Sequence, residues 1–234
     1  MLAVVKNPAK VGISLEDVPI PEFSPWEVLL KVKAVGICGS DLRMYKYADA
    51  DRRGNYILGH ELAGEVVDMG EKVHGTKVAK EILRANVIVT GTNDMRLKMA
   101  KELGAEHAFN IRKGDPVEEI LHITDGGVDY TFEATGDPGA LQQAIYMTRK
   151  NGSIVVMTVH KEIQIDMEPV IRNELKLFGS ICYNYKEFDQ AVDLLAKKKI
   201  EVSPLIGRTF SLKEADKAFD FCFSRKGVKI ILTP

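Results

Sequence analysis

GHELAGEVVDMGEKVHG, residues 59–75, runs directly into TKVAKEILRANVIVTG, residues 76–91, and the texture changes at the join. In the first stretch LAGEVVDM (62–69) alternates well enough for a half-buried strand. In the second, AKEILRA spaces its apolar residues at helical intervals, and NVIVTG follows as a short β run closed by glycine. The two sides of this seam belong to different architectures.

Upstream the chain is β-rich. EVLLKVKAVGI (27–37) reads as a second strand, PIPEFSPW (19–26) as a Pro-rich loop, and no helix is expected before residue 75. Downstream, MRLKMAKELGA (95–105), PVEEILHIT (116–124) and ALQQAIYMTRK (140–150) have helical spacing. They alternate with the β runs NVIVTG, HAFNI, VDYTFEATG, GSIVVMTV and LKLFGSICY, which argues for βαβ units and a parallel sheet. KEFDQAVDLLAKKKI and LKEADKAFDFCFSRK read as amphipathic helices, and GVKIILTP closes as a strand. The expected fold is α/β, with a β-rich first part at 1–75, a nucleotide-binding unit at 76–183 and a C-terminal part at 184–234.

A chain of 234 residues with 45% apolar content can build a sizeable core. Its 32 basic and 33 acidic residues are nearly balanced and form no long like-charged run, so nothing favours nucleic acid or an anionic membrane. The expected partner is a small molecule or another copy of the chain. No apolar run reaches the length of a membrane span, and three scattered cysteines (Cys38, Cys182, Cys222) form no disulfide framework, so a reducing, cytoplasmic compartment is expected.

The densest chemistry lies in GICGSDLRMY (36–45) and GHELAGEVV (59–67). Cys38, Ser40 and Asp41 fall within four residues, and His60-Glu61 follow about twenty later. Thiolate, imidazole and carboxylate are zinc-preferring ligand types, and three protein ligands with one open position describe a catalytic zinc. Spacing alone leaves open a small buried thiol beside a surface turn, because neither C-x-x-C nor H-x-x-x-H is present.

These two segments resemble the signatures of medium-chain, zinc-dependent alcohol and polyol dehydrogenases of the sorbitol type. The likeness continues in order through VIVTG, RLKMAKELGAEHAFN, DYTFEATGDPGAL, NGSIVVMTVH, ELKLFGSICY and KGVKIILTP. It implies a GroES-like catalytic domain, a Rossmann domain and a C-terminal return to the first. It further implies zinc held by Cys38, His60 and Glu61, a proton relay at Ser40, an orienting role for Asp41, and NAD or NADP as hydride acceptor. Alcohol or polyol substrates and a dimeric or tetrameric assembly are implied with it.

For the cofactor, Thr90, Gly91 and Thr92 end the strand where an acid usually meets the ribose hydroxyls. Asp94 arrives late, which leaves room for a 2′-phosphate with Arg96 as its partner; the alternative is Asp94 as an N-cap and Arg96 as a solvated charge. By resemblance Ala134, Thr135 and Gly136 pass beside the nicotinamide ribose, and Val159 and His160 meet the nicotinamide amide through their backbone. The His160 ring itself is expected to be solvated. Cys182 and Cys222 are expected to be buried thiols, and Tyr45 and Tyr47 either line a cleft or pack.

One part of the pattern is missing. No strand followed by G-x-G-x-x-G is present to hold a pyrophosphate on a helix N-terminus. Between Gly75 and Thr76 the family carries the rest of its catalytic domain and the first Rossmann strand, and here that block is absent. In the order 3-2-1-4-5-6 this leaves the strands at 86–90 and 128–133 without their shared neighbour. Each buried unpaired backbone group costs about 1–3 kcal/mol against a total stability of about 5–15 kcal/mol. Three readings follow: residues 75 and 76 are not neighbours in the whole protein; the chain carries a true deletion and survives by rearrangement or strand exchange; or GEVVDMGEKV (64–73) fills the slot. The alternative to a working dehydrogenase is a remnant that keeps the metal motif and binds no dinucleotide.

Overall fold

A computed structural model describes residues 1–22, 28–48, 54–69, 86–224 and 227–234. The helical reading of AKEILRA and the 75–76 junction lie outside the described residues. Two compact units are present, one drawn from Met1–Ala79 and Ala191–Pro234, the other from Lys80–Gln190.

The first unit opens with β1 (Leu2–Lys6), β2 (Ser14–Asp17) and β3 (Val28–Gly36). A helix, α1 (Gly39–Lys46), follows where none was expected; β4 (Tyr56–Ile57) and β5 (Glu61–Met69) complete this part. The helix escaped notice because it is short, starts on glycine and inserts only Leu42 and Tyr45 into the core. Tyr45 packs rather than lining a cleft: it stacks on Phe219 with centroids 4.9 Å apart. Strand β5 pairs antiparallel with β3, from Gly36 opposite Glu61 to Val28 opposite Met69. Residues 64–69 are thereby committed to this sheet, which overturns the reading in which they fill the gap elsewhere.

In the second unit β6 (Ile88–Gly91), α2 (Asp94–Glu102), β7 (His107–Asn110), α3 (Val117–Ile123), β8 (Val128–Glu133), α4 (Pro138–Met147), β9 (Thr148–Val156), α5 (Glu168–Arg172) and β10 (Lys176–Gly179) alternate as expected. Helix α4 starts cleanly, because Asp137 accepts the N–H groups of Gly139 and Ala140 and Pro138 presets the first turn. It stops at Met147, three residues short of its sequence pattern. The Thr148 hydroxyl donates to the carbonyl of Ala144 and meets that of Thr131, turning the chain into β9. Leu141, Ala144 and Ile145 close on Ile154 to form this unit's core.

Among the described residues, the strand pairs of the second unit are parallel. They form two sheets, β6 with β7 and, separately, β10-β9-β8. Among the described residues, β6 and β8 each have a strand on one side only, which is the break expected from the missing block. One face of the three-stranded sheet is correspondingly bare: Tyr130, Phe132 and Phe178 are all more than half exposed.

After α6 (Tyr185–Ala196), β11 (Ile206–Ser211), α7 (Ala215–Phe223) and β12 (Lys229–Thr233) join the first unit. Strand β12 lies between β11 and β3, with Ile231 opposite Gly36. Val4, Ile37, Phe210, Ala215, Ala218, Phe219, Ile230 and Leu232 make the core. Cys182, expected to be buried, is exposed, and Cys222 is half-buried in α7. No described helix is long and apolar enough to cross a membrane.

The open edge has a measurable consequence. Alternate amides of β8 point away from β9, whereas β9 is paired on both sides, so in native-state hydrogen exchange those β8 amides should exchange at least about tenfold faster. Equal protection would mean that another strand covers β8.

Candidate metal and cofactor sites

In the first unit the metal-motif residues gather around the start of α1. The N–H of Ile37 donates to the carbonyl of Ile230 at 3.0 Å and anchors the end of β3 beside β12. Cys38 then takes the N-cap position, and its N–H donates to Asp41 Oδ2 at 2.8 Å. That bond holds a carboxylate that is 2% exposed. The other oxygen, Oδ1, has no hydrogen-bond partner and lies 3.5 Å from His60 Nδ1. His60 Nε2, on the far side of the ring, is 3.4 Å from Ser40 Oγ.

This arrangement fits a metal in one respect. A proton on Nδ1 facing Asp41 would leave the Nε2 lone pair as an acceptor, taken here by the Ser40 hydroxyl and of the kind a zinc ion uses. Cys38 contributes its backbone N–H to the same Asp41 carboxylate. Glu61, the third expected ligand, is turned elsewhere: its Oε2 accepts from Lys229 Nζ at 2.6 Å. Consequently, among the described residues, no three His, Cys, Asp or Glu side chains are set closely enough to hold a metal ion. The donor chemistry and the orienting carboxylate suit zinc, while the Glu61 carboxylate is engaged across the sheet. Lys229 was not singled out in the sequence, where nothing marks a lysine 168 positions away as its partner.

The expected cofactor residues all fall in the second unit, at or beyond the carboxyl ends of parallel strands, where open α/β sheets bind ligands. Thr90 and Gly91 end β6, and Thr92 follows. Asn93 is the N-cap of α2, its side chain accepting from the N–H of Arg96 at 3.2 Å. Asp94, not the cap, is bound by Asn110 and Lys113 at 2.7 and 3.0 Å. Arg96 is exposed in the first turn of α2.

Ala134, Thr135 and Gly136 follow β8, and Val159 and His160 follow β9; one residue missed in the sequence joins these two turns. Glu133, last in β8, is 3% exposed. Its Oε1 accepts from the Thr135 N–H and hydroxyl, both at 2.6 Å, and from the Gly136 N–H at 2.9 Å. Gly136, at φ +75°, adopts the left-handed conformation that lets its N–H turn inward. The other oxygen, Oε2, accepts from the Thr158 hydroxyl and from His160 Nε2 at 3.0 Å. The His160 side chain is therefore 7% exposed rather than solvated, with Nδ1 buried and unpartnered. The available signal was an acid ending an apolar strand immediately before A-T-G, whose N–H groups need an acceptor.

Burial raises the Glu133 pKa, but the hydrogen bonds from Thr135, Thr158 and His160 outweigh it and hold the carboxyl at about 2, against an ordinary 4.5. The folded-state value is depressed, so the carboxylate's contribution is present above pH 4.5 and is lost as pH falls toward 2. Removing the charge leaves donors unpaired. Glu133→Gln should cost about 1–3 kcal/mol in urea unfolding at pH 7. The loss relative to the native chain should shrink on acidification through that window, and a pH-independent difference would refute the assignment.

Residues 74–197 match the family described as zinc-binding dehydrogenase. D-arabitol-phosphate dehydrogenase of Enterococcus avium is 33% identical over 325 positions, covering 92% of this chain and 92% of that protein. Sorbitol dehydrogenase of Bacillus subtilis is 25% identical over 346 positions, covering 99% and 96%. Those 346 positions accommodate a chain of only 234 residues, so a long internal block of the relative has no counterpart here. A zinc-binding dehydrogenase of Sinorhizobium meliloti 1021, bound to NADP, superposes with a TM-score of 0.82 at 20% identity over all of both chains, which shows the shared fold. The chain belongs to the zinc-binding dehydrogenase family.

Proposed function

We propose that this zinc-binding dehydrogenase oxidises a secondary alcohol or polyol with NAD or NADP as hydride acceptor. The observation that carries the proposal is the Asp41–His60 arrangement, in which a buried carboxylate held by the Cys38 N–H faces an imidazole. Cys38, His60 and Glu61 would hold zinc, which when bound makes an alcohol acidic enough to ionise near neutral pH. Ser40, whose hydroxyl lies 3.4 Å from His60 Nε2, would pass the substrate's hydroxyl proton outward. NAD or NADP would supply the acceptor for the carbinol hydride, so that oxidation of the alcohol to a ketone would release one proton per turnover.

In the second unit the residues beyond β6, β8 and β9 form the nicotinamide and ribose surface. Thr90, Gly91 and Thr92 place no carboxylate at the ribose, which favours a 2′-phosphate with Arg96 nearby. The bland surface charge and the sorbitol- and arabitol-phosphate-dehydrogenase relatives support a small polyhydroxylated substrate. Homo-oligomerisation and a cytoplasmic setting belong to the same proposal.

The missing G-x-G-x-x-G favours a specific second reading, a remnant with no dinucleotide site. Fluorescence titration with NADH and NADPH separates the two. Micromolar binding supports the dehydrogenase and excludes the remnant, whereas absence of saturation at millimolar cofactor overturns the proposal. In a chain that turns over, Ser40→Ala should lower kcat/KM about a hundredfold while leaving zinc content unchanged.

A further inference from the structure

In β8 the open edge and the bare face of the second unit are carried by the same residues. The Met157 N–H donates to the carbonyl of Glu133 at 2.9 Å, so Glu133 turns its backbone toward the β9 side. Backbone groups alternate along a strand, and Thr131 and Asp129 therefore turn the same way. Val128, Tyr130 and Phe132 aim their N–H and C=O groups at the other side, where no strand lies among the described residues. Their side chains share one face. Tyr130 is 66% and Phe132 63% exposed, and Phe132 continues in register through Val155 to Phe178. The opposite face is closed by α4: Thr131 meets Thr148, and Ile154 beside it packs on Leu141, Ala144 and Ile145.

This edge is complementary to itself. A second copy related by a two-fold axis brings β8 antiparallel to β8. Outward-facing residues must then stand opposite one another to exchange both N–H···O bonds, which leaves two registers that keep most of the strand paired, one centred on Tyr130 and one on Thr131. In the Thr131 register Asp129 stands opposite Glu133 of the other copy, and like charges facing across a strand pair destabilise it. In the Tyr130 register Asp129 faces Thr131, Tyr130 faces Tyr130 and Phe132 faces Val128. No like charges meet there, and the aromatic face runs on from one copy to the other.

We propose that β8 is a homodimer interface, in which two copies of the chain join edge to edge through residues 128–132 with Tyr130 on the two-fold axis. This gives the homo-oligomer reading a definite surface and rests on that reading. The second copy satisfies the outward N–H and C=O groups of Val128, Tyr130 and Phe132, and the facing rings shield one another from water. The two three-stranded sheets become one sheet continuous across both chains.

Sedimentation equilibrium and hydrogen exchange over a concentration series of the full chain test this. The chain should pass from monomer to dimer, and the Tyr130 and Phe132 amides, fast in the separate chain, should slow at least about tenfold as the dimer forms. Tyr130→Lys and Tyr130→Glu, made at an exposed position, should each weaken self-association about tenfold by setting like charges across the axis. Mixed in equal amounts, the two variants should associate about tenfold more tightly than either alone, because opposite charges then meet. Thermal denaturation checks that each variant is folded, and the exchange experiment on the native chain stands without them. A dimer that neither variant weakens lies on another surface; it overturns the proposal and leaves the homo-oligomer reading intact. A mixture no tighter than its components overturns the Tyr130-centred pairing. A monomer at every concentration overturns the interface and the homo-oligomer reading together. If its Tyr130 and Phe132 amides are nevertheless protected, the chain covers β8 with a segment of its own.

Discussion

A strand inside a parallel sheet has to pair its backbone on two sides, and this requirement organises the second unit. β6 finds β7 and β8 finds β9, but among the described residues neither finds the other or a strand between them. The bare aromatic face at Tyr130, Phe132 and Phe178 belongs to the same deficit, since parallel sheets ordinarily bury both faces. The family match and the internal block unmatched in the relatives give that deficit a sequence counterpart.

The first unit meets the opposite situation. Its β-rich opening and its C-terminal strand close on each other, with β12 seated beside β3 and α7 packed by Tyr45 and the Phe210–Phe219 cluster. The metal-motif residues sit on this closed part: the Ile37–Ile230 hydrogen bond fixes the end of β3, Cys38 caps α1, and the Asp41 carboxylate is thereby held under His60. The metal-motif residues are thus supported by strands from both ends of the sequence, whereas the residues proposed for the cofactor stand on the unit with open edges.

What was legible from the sequence follows from how local each feature is. Alternating strand and helix runs, and the absence of a glycine-rich turn after a strand, are properties of neighbouring residues and could be read directly. The break between β6 and β8 followed from that absence. Helix α1 was missed because only Leu42 and Tyr45 carry its buried stripe. The early end of α4 depends on a Thr148–Thr131 contact between separate strands. The burial of His160 depends on Glu133, 27 residues away, and the engagement of Glu61 depends on Lys229 at the other end of the chain. Periodicity reports which face of an element is apolar; it does not report which polar group crosses a sheet to meet another.

Glu133 carries a consequence beyond its own stability. One carboxylate receives donors from the turn after β8 and from the segment after β9, so the two segments share an anchor and neither can drift alone. In evolutionary terms, the shared anchor makes positions 133, 135, 158 and 160 expected to change together. A lineage that exchanged the acid for a neutral residue would gain nothing by keeping Thr158 and His160, and the two turns would then be free to diverge separately.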